Sequence, residues 1–393
     1  MNQEKTAIIG IGDIPVGKYP EYDEMELASI VIKKAIDDSG LRKDQIDGFF
    51  AGPDNLIPDM FFTAWLAEKL RLEPKRMAEI ACGGASGTLA LNHAINEIKS
   101  GNVENALVFS TSQDHSQMFN LGPLFMKFFE RAIGEDLPFG IQVYGYYAMA
   151  AQRYMYEYGA TEEDFARVAV KNRKLASTNP RAFMRSPLLT IQDVLNSPPV
   201  APPFNRLDCC PWADGAAALV ITHEDCSRKQ EKSNNALKPV YISGYGEKHD
   251  SSNFIPEKKP ISTFHAARPA MEEALKSAGI NIEDIDVAEI YDAFTACEII
   301  LSEDLGFFEK GEGYKALNQG ETGLGGKIPI NTSGGRLSLG HPAYVTALLM
   351  HTHMVRQLRG QAGENQVEGA KIALTQGEHG MNNGIAITIL EVE

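Results

Sequence analysis

The stretch Ala35-Ile36-Asp37-Asp38-Ser39-Gly40, closed by Gln45-Ile46-Asp47, has a counterpart 239 positions further on: Ala274-Leu275-Lys276-Ser277-Ala278-Gly279, closed by Asp284-Ile285-Asp286. In each copy a helix stops at glycine, a short polar loop follows, and a strand starts after Ile-Asp. Those strands are Gly48-Phe49-Phe50-Ala51 and Val287-Ala288-Glu289-Ile290. Another strand precedes each unit, at Ala7-Ile8-Ile9-Gly10 and at Val240-Tyr241-Ile242-Ser243-Gly244. The match continues downstream. Ile80-Ala81-Cys82-Gly83-Gly84 opens a helix from Ala85 to Ile98, with Leu91, Ala94, Ile95 and Ile98 on one face. The strand Ala106–Ser110 follows. In the other copy Asn331-Thr332-Ser333-Gly334-Gly335 leads to a helix near Tyr344–Leu358 and the strand Lys371–Thr375, with a last strand at Gly384–Leu390.

Strands alternating with helices predict an α/β fold with parallel or mixed sheets. The duplication predicts two such layers packed back to back. The halves are 1–115 and 239–393, and the segment 116–238 between them has no counterpart. That segment predicts a long helix, Ile141–Tyr158, and a second opened by Thr161-Glu162-Glu163-Asp164, which resembles a capping box. It then turns proline-rich at Ser197–Pro203. It is too long for a connector and reads as a cap domain over a site, its last part returning to the first half. Polar Ser227–Asn235 reads as a surface linker.

Composition narrows the class. The chain has 393 residues, 44% of them hydrophobic and 23% charged, which suits a globular protein of two halves. Its formal charge of −15 gives it no general attraction for a nucleic-acid backbone. No apolar run reaches the length of about 18–20 residues needed to span a bilayer, and no secretory signal is visible after Met1. Five cysteines make a disulfide scaffold a poor fit and point to a reducing cytoplasm. No cysteine pair or histidine cluster has metal-ligand spacing, so no metal is expected.

Cys82 stands between a strand and a helix, just before two glycines. A helix N-terminus there favours a thiolate, and the glycines allow close approach of a ligand. The other reading is a small buried cysteine in a turn. His341, in Gly340-His341-Pro342, occupies the corresponding turn of the second copy. It is placed to deprotonate a thiol, or else to bond a loop carbonyl. Glu378 and His379, in Gln376-Gly377-Glu378-His379-Gly380, read as a third turn between strands, either a second acid/base or a polar hairpin tip. Tyr291 reads as a donor to a substrate oxygen or as a packing aromatic.

Together these residues resemble the thiolase superfamily, most closely its sterol-carrier-protein-thiolase-like branch. The resemblance runs through Ala81–Gly87, Arg153–Met155, Val168–Arg173, Leu207–Ala218, Tyr291–Phe294 and Gly334–Pro342. It implies a duplicated α-β-α-β-α layered core with an inserted loop domain, and a dimeric or tetrameric assembly. Coenzyme A thioesters are the implied substrates, with no bound cofactor. Cys82 would be the acyl-accepting nucleophile and His341 its base. The Cys82 N–H would belong to an oxyanion hole. Gly380, Tyr344 and Ser338 would contact coenzyme A. Three positions depart from the family. Tyr291 stands where asparagine or histidine is usual, and Tyr344 where glycine is usual. The second catalytic cysteine is absent, leaving His379, with Gln376 or Glu378 as the other candidates. The implied activity is cleavage or formation of a 3-oxoacyl-CoA, with an aromatic or branched substrate such as benzoylsuccinyl-CoA as a special case. A small partner with an OB-fold and zinc ribbon is implied too. Two other readings stand beside it: a retro-aldolase on a CoA ester, and a non-catalytic scaffold subunit.

Overall fold

The first strand, β1 (Thr6–Asp13), carries apolar residues on both faces. Ala7 and Ile9 pack with Leu27, Val31 and Ala35 of α1 (Glu24–Ser39), whereas Ile8 and Ile11 join a separate core with Leu91 and Leu348. Such two-sided burial is what a strand between helical layers requires. The computed structural model describes residues 5–53, 61–116, 142–231, 238–250, 259–380 and 383–393. The first half continues with β2 (Gly48–Ala51), α2 (Phe62–Leu70), β3 (Arg76–Glu79), α3 (Ser86–Lys99) and β4 (Asn105–Ser112). The inserted segment holds α4 (Val143–Tyr158), α5 (Glu162–Thr178), α6 (Ile191–Leu195) and a hairpin of β5 (Pro199–Ala201) and β6 (Phe204–Asn205). Next come β7 (Gly215–His223) and α7 (Glu224–Glu231). The second half runs β8 (Val240–His249), α8 (Ala267–Ala278), β9 (Val287–Glu289), α9 (Thr295–Asp304), α10 (Gly313–Asn318), α11 (Gly335–Leu339), α12 (Thr346–Leu358), β10 (Ile372–His379) and β11 (Gly384–Glu391).

Apart from the β5–β6 hairpin, the strands form one sheet in the order β3-β2-β4-β7-β1-β8-β11-β10-β9. Outward from the β1–β8 join, β7-β4-β2 on one side mirrors β11-β10-β9 on the other. The halves are therefore joined edge to edge as well as stacked: Thr6, Ala7 and Ile8 pair with Ile242, Tyr241 and Val240. Between them lie α3 and α12. Helix α12 packs on β10 of its own half and on β7 and β1 of the other, while α3 touches β4, β2 and β11. Every residue of α12 is buried, as expected for a helix with no solvent face. Helices α1 and α8 cover the outer sides, completing an α-β-α-β-α order.

Both helix stops read from the repeat are left-handed glycines, Gly40 at φ 70° and Gly279 at φ 72°. Thr161 and Asp164 cap α5 reciprocally. Of the helix expected from Ile141, that first residue lies outside the described residues, and α4 begins at Val143. The expected linker Ser227–Asn235 starts inside α7, and its residues from 232 onward lie outside the described residues. Among the described residues no helix is long and apolar enough to cross a membrane.

Candidate active site

Cys82 lies in the turn between β3 and α3, half-buried. Gly83 sits at φ 58°, a conformation that favours glycine. The turn is pinned by Ser86. The Cys82 N–H donates to Ser86 Oγ at 2.8 Å, and the Ser86 hydroxyl donates to Gly83 O at 2.7 Å. That N–H, expected in an oxyanion hole, is thus already engaged. The thiol is pushed up, first by burial and then by the Glu247 carboxylate.

Tyr291 follows β9. Its N–H donates to Gln376 Oε1 at 2.8 Å. A side chain on Gly84 would stand 2.7 Å from both Cε2 and the hydroxyl of Tyr291, so glycine there lets the tyrosine lie directly on the Cys82 turn. The Tyr291 hydroxyl is 2.6 Å from Nε2 of His341.

His341 follows α11 after Gly340, which takes φ 107° against Val16. Its N–H donates to Pro211 O at 3.0 Å, and the Trp212 ring stands at 63° to its own, with the ring centres 5.5 Å apart. Burial, then the Arg336 guanidinium, pull the imidazole down to about 3, so it is neutral and an acceptor. Its Nδ1 has no hydrogen-bond partner among the described residues.

Buried polar bonds fix this floor. Asp292 accepts the Arg336 N–H at 2.6 Å and Asn172 Nδ2 at 2.8 Å. Glu298 accepts from Lys171, Asn172 and Asn331. Helix α5 of the inserted segment is thereby tied to the Tyr291 and His341 loops.

Gln376, Glu378 and His379 are not a turn. They are the end of β10, with His379 in register with Gly384. Gly380, at φ 68°, begins the connection. The Cα of His379 and the N of Gly380 lie 3.7 and 3.8 Å from where a Gly83 side chain would begin. The Cys82 turn and the end of β10 thus lie against each other. The His379 ring stacks on His249 at 4.9 Å, and burial followed by His249 lowers it. Glu378 is buried and accepts the Tyr147 hydroxyl at 2.8 Å. Tyr344 is buried in the turn after His341, whose Ala343 N–H donates to Asp114 at 2.8 Å. Ser338 is 1% exposed, its hydroxyl accepting from Arg173 Nε at 3.1 Å, so it faces α5 rather than solvent. Among the described residues no group of three or more His, Cys, Asp or Glu side chains is placed to hold a metal ion. Ser86, Tyr147, Trp212 and His249 join the site without having been singled out from the sequence. Ser86 and Trp212 lie in stretches that carry the family resemblance, whereas Tyr147 and His249 left no signal.

A family model described as thiolase C-terminal domain-like matches residues 246–392. An acetyl-CoA acetyltransferase of Methanothermobacter thermautotrophicus is 32% identical over 98% of both chains. The benzoylsuccinyl-CoA thiolase subunit BbsB of Thauera aromatica is 33% identical over 76% of this chain and 74% of its own. A solved Ltp2-ChsH2(DUF35) aldolase has a TM-score of 0.86 at 28% identity, covering 99% of this chain and 98% of its own. Sterol carrier protein 2 of Oryctolagus cuniculus is 31% identical over 65% of this chain and 46% of its own. The chain belongs to the thiolase superfamily of acyl-CoA acyltransferases.

Proposed function

We propose that this protein transfers an acyl group between carbon and coenzyme A, cleaving or forming a 3-oxoacyl-CoA through an acyl-cysteine on Cys82. The observation that carries this reading is the contact of Gly84 with Tyr291 and of Tyr291 with His341, which links the cysteine turn to a neutral base. Neither partner ionises readily alone, since the thiol is raised and the imidazole lowered. The thiol proton therefore leaves as the carbon–sulfur bond forms, passing to His341 through the Tyr291 hydroxyl. Tyr291 then stands beside the new oxyanion as a donor, a role the occupied Cys82 N–H does not fill. The second proton carrier comes from the end of β10.

Coenzyme A is the co-substrate. The Thauera relative supports an aromatic 3-oxoacyl substrate of the benzoylsuccinyl-CoA kind. The named pairing in the solved aldolase supports a small OB-fold/zinc-ribbon partner. A homodimer core is supported by β3, an edge strand with Arg76, Met77 and Glu79 exposed, beside exposed Phe61 and Trp65.

A second reading is retro-aldol cleavage of a CoA ester. It is favoured by the aldolase neighbour and by Tyr291 holding His341 in the resting site. The discriminating experiment is CoA-dependent cleavage of benzoylsuccinyl-CoA and acetoacetyl-CoA, by the chain alone and with a DUF35-type partner of the kind named in the solved aldolase. Turnover that needs free CoA and disappears in Cys82→Ser supports acyl transfer. Cleavage without CoA that survives Cys82→Ala supports the aldolase.

A further inference from the structure

Strand alternation sorts the side chains at the end of β10. Gly377 faces α3, where a side chain would meet Ala85 and Thr88. Gln376 and Glu378 point the other way. Gln376 takes the Tyr291 amide, and Glu378 takes the Tyr147 hydroxyl through Oε1. Glu378 is 5% exposed, and its Oε2 has no hydrogen-bond partner among the described residues. A half-satisfied buried carboxyl calls for a reason other than packing. Its electrostatic neighbours are the Tyr147 and Tyr291 hydroxyls and the Cys210 and Cys297 thiols, all themselves pushed up. Arg336 acts on Tyr291 and Cys210 from beyond them. His379 lies on the face of Gly377, its Cβ 3.8 Å from where a Gly83 side chain would begin, with its ring stacked on His249 near Glu247.

We propose that Glu378, held by Tyr147, is the second proton carrier of the acyl-transfer site. This deepens the acyl-transfer reading and rests on it. Burial raises the carboxyl to about 8, so it enters the reaction as an acid at neutral pH. As the Cys82 sulfur attacks the 3-oxo carbonyl, the C2–C3 bond breaks and its electron pair stays on C2 of the departing acyl-CoA. Glu378 gives its proton to that carbon and becomes a carboxylate. The incoming CoA thiol gives its proton to that carboxylate while its sulfur attacks the acyl-cysteine carbonyl. The Cys82 sulfur leaves and recovers the proton held by the Tyr291–His341 pair. Every proton returns to its starting group.

The test is solvent exchange at C2 of acetyl-CoA and succinyl-CoA in D2O, followed by NMR from pH 6 to 9. Wild type exchanges, with a rate rising toward a plateau above pH about 8 as the carboxylate forms. Glu378→Gln slows exchange by about 100-fold or more, the scale of lost acid–base catalysis. His379→Gln loses less than that by at least a factor of about ten. Tyr147→Phe moves the midpoint to higher pH, since it removes the donor that favours the carboxylate, a shift that a merely structural role would not produce. Alkylation of Cys82 by iodoacetamide at pH 9 controls for folding and stays within about threefold of wild type in Glu378→Gln. Exchange at the wild-type rate in Glu378→Gln, a larger loss in His379→Gln, or no exchange in wild type overturns the assignment. Failure of the acyl-transfer reading shows separately, as a wild-type enzyme that forms no acyl adduct on Cys82.

Discussion

The hydroxyl of Tyr291 lies 2.6 Å from Nε2 of His341, the two rings standing at 89°. The base expected to serve Cys82 is therefore engaged by a tyrosine in the resting site. On the acyl-transfer reading, catalysis at Cys82 is expected to depend on that contact, and on the room that Gly84 leaves for it.

Gly84→Ala places a methyl group 2.7 Å from the Tyr291 ring and hydroxyl. Tyr291 must shift and its bond to His341 breaks. Turnover is expected to fall by about 100-fold, comparable to loss of one oxyanion donor. Stability falls by about 1–3 kcal/mol, the usual penalty of overpacking. Steady-state kinetics and denaturant unfolding check both. A variant with near-wild-type kcat would show that the contact is not needed.

Because burial and Glu247 raise the Cys82 thiol, its alkylation by iodoacetamide should keep accelerating above pH 9. A rate that levels off below pH 8 would mean that a stable thiolate exists at rest.

Glu378 is neutral when folded up to about pH 8 but ionises near 4.5 when unfolded. Its folded pKa is the higher one, so its contribution is full below pH 4.5 and is lost as pH rises toward 8. Between pH 5 and 7, wild type should lose up to about 1.4 kcal/mol per pH unit relative to Glu378→Gln. Parallel urea titrations measure the difference. Equal slopes for the two proteins would count against a buried neutral carboxyl.

The edge strand β3 and its apolar neighbours predict a dimer through this border. Trp65→Glu combined with Met77→Lys should convert a dimer to a monomer in light scattering, since Trp65 is 52% and Met77 46% exposed. A dimer mass that persists in this variant would place the interface elsewhere.

Much of the layer order was legible in the repeat, because helix stops and strand starts are local. The glycines at 40 and 279 end their helices as read, and the strands read from the repeat begin close to where it puts them, whereas β7 in the middle of the sheet was not read. Close packing between elements was not legible. Gly10 and Gly12 let β1 approach α1, and Gly244 and Gly246 let β8 approach α8; a side chain at any of the four would meet helix backbone within 2.5 Å. These pairs are a second trace of the duplication, invisible until helix and strand are seen together. The end of β10 was misread because Gly377 and Gly380 suggest a turn. Gly377 instead lets the strand pass α3. At the site, Cys82, Tyr291 and His341 were legible as residue types in turns. Their order of contact was not, since the bonds join residues 50 or more positions apart. Tyr147 meets Glu378 across 231 positions, which no local pattern reports.

The most direct measurement is intact-protein and peptide mass spectrometry after incubation with acetyl-CoA at pH 7 and rapid acid quench. A single acetyl group on the peptide carrying Cys82, absent in Cys82→Ser and discharged by added CoA, is the expected result. An active enzyme that never carries acyl on Cys82 under these conditions would contradict covalent acyl transfer.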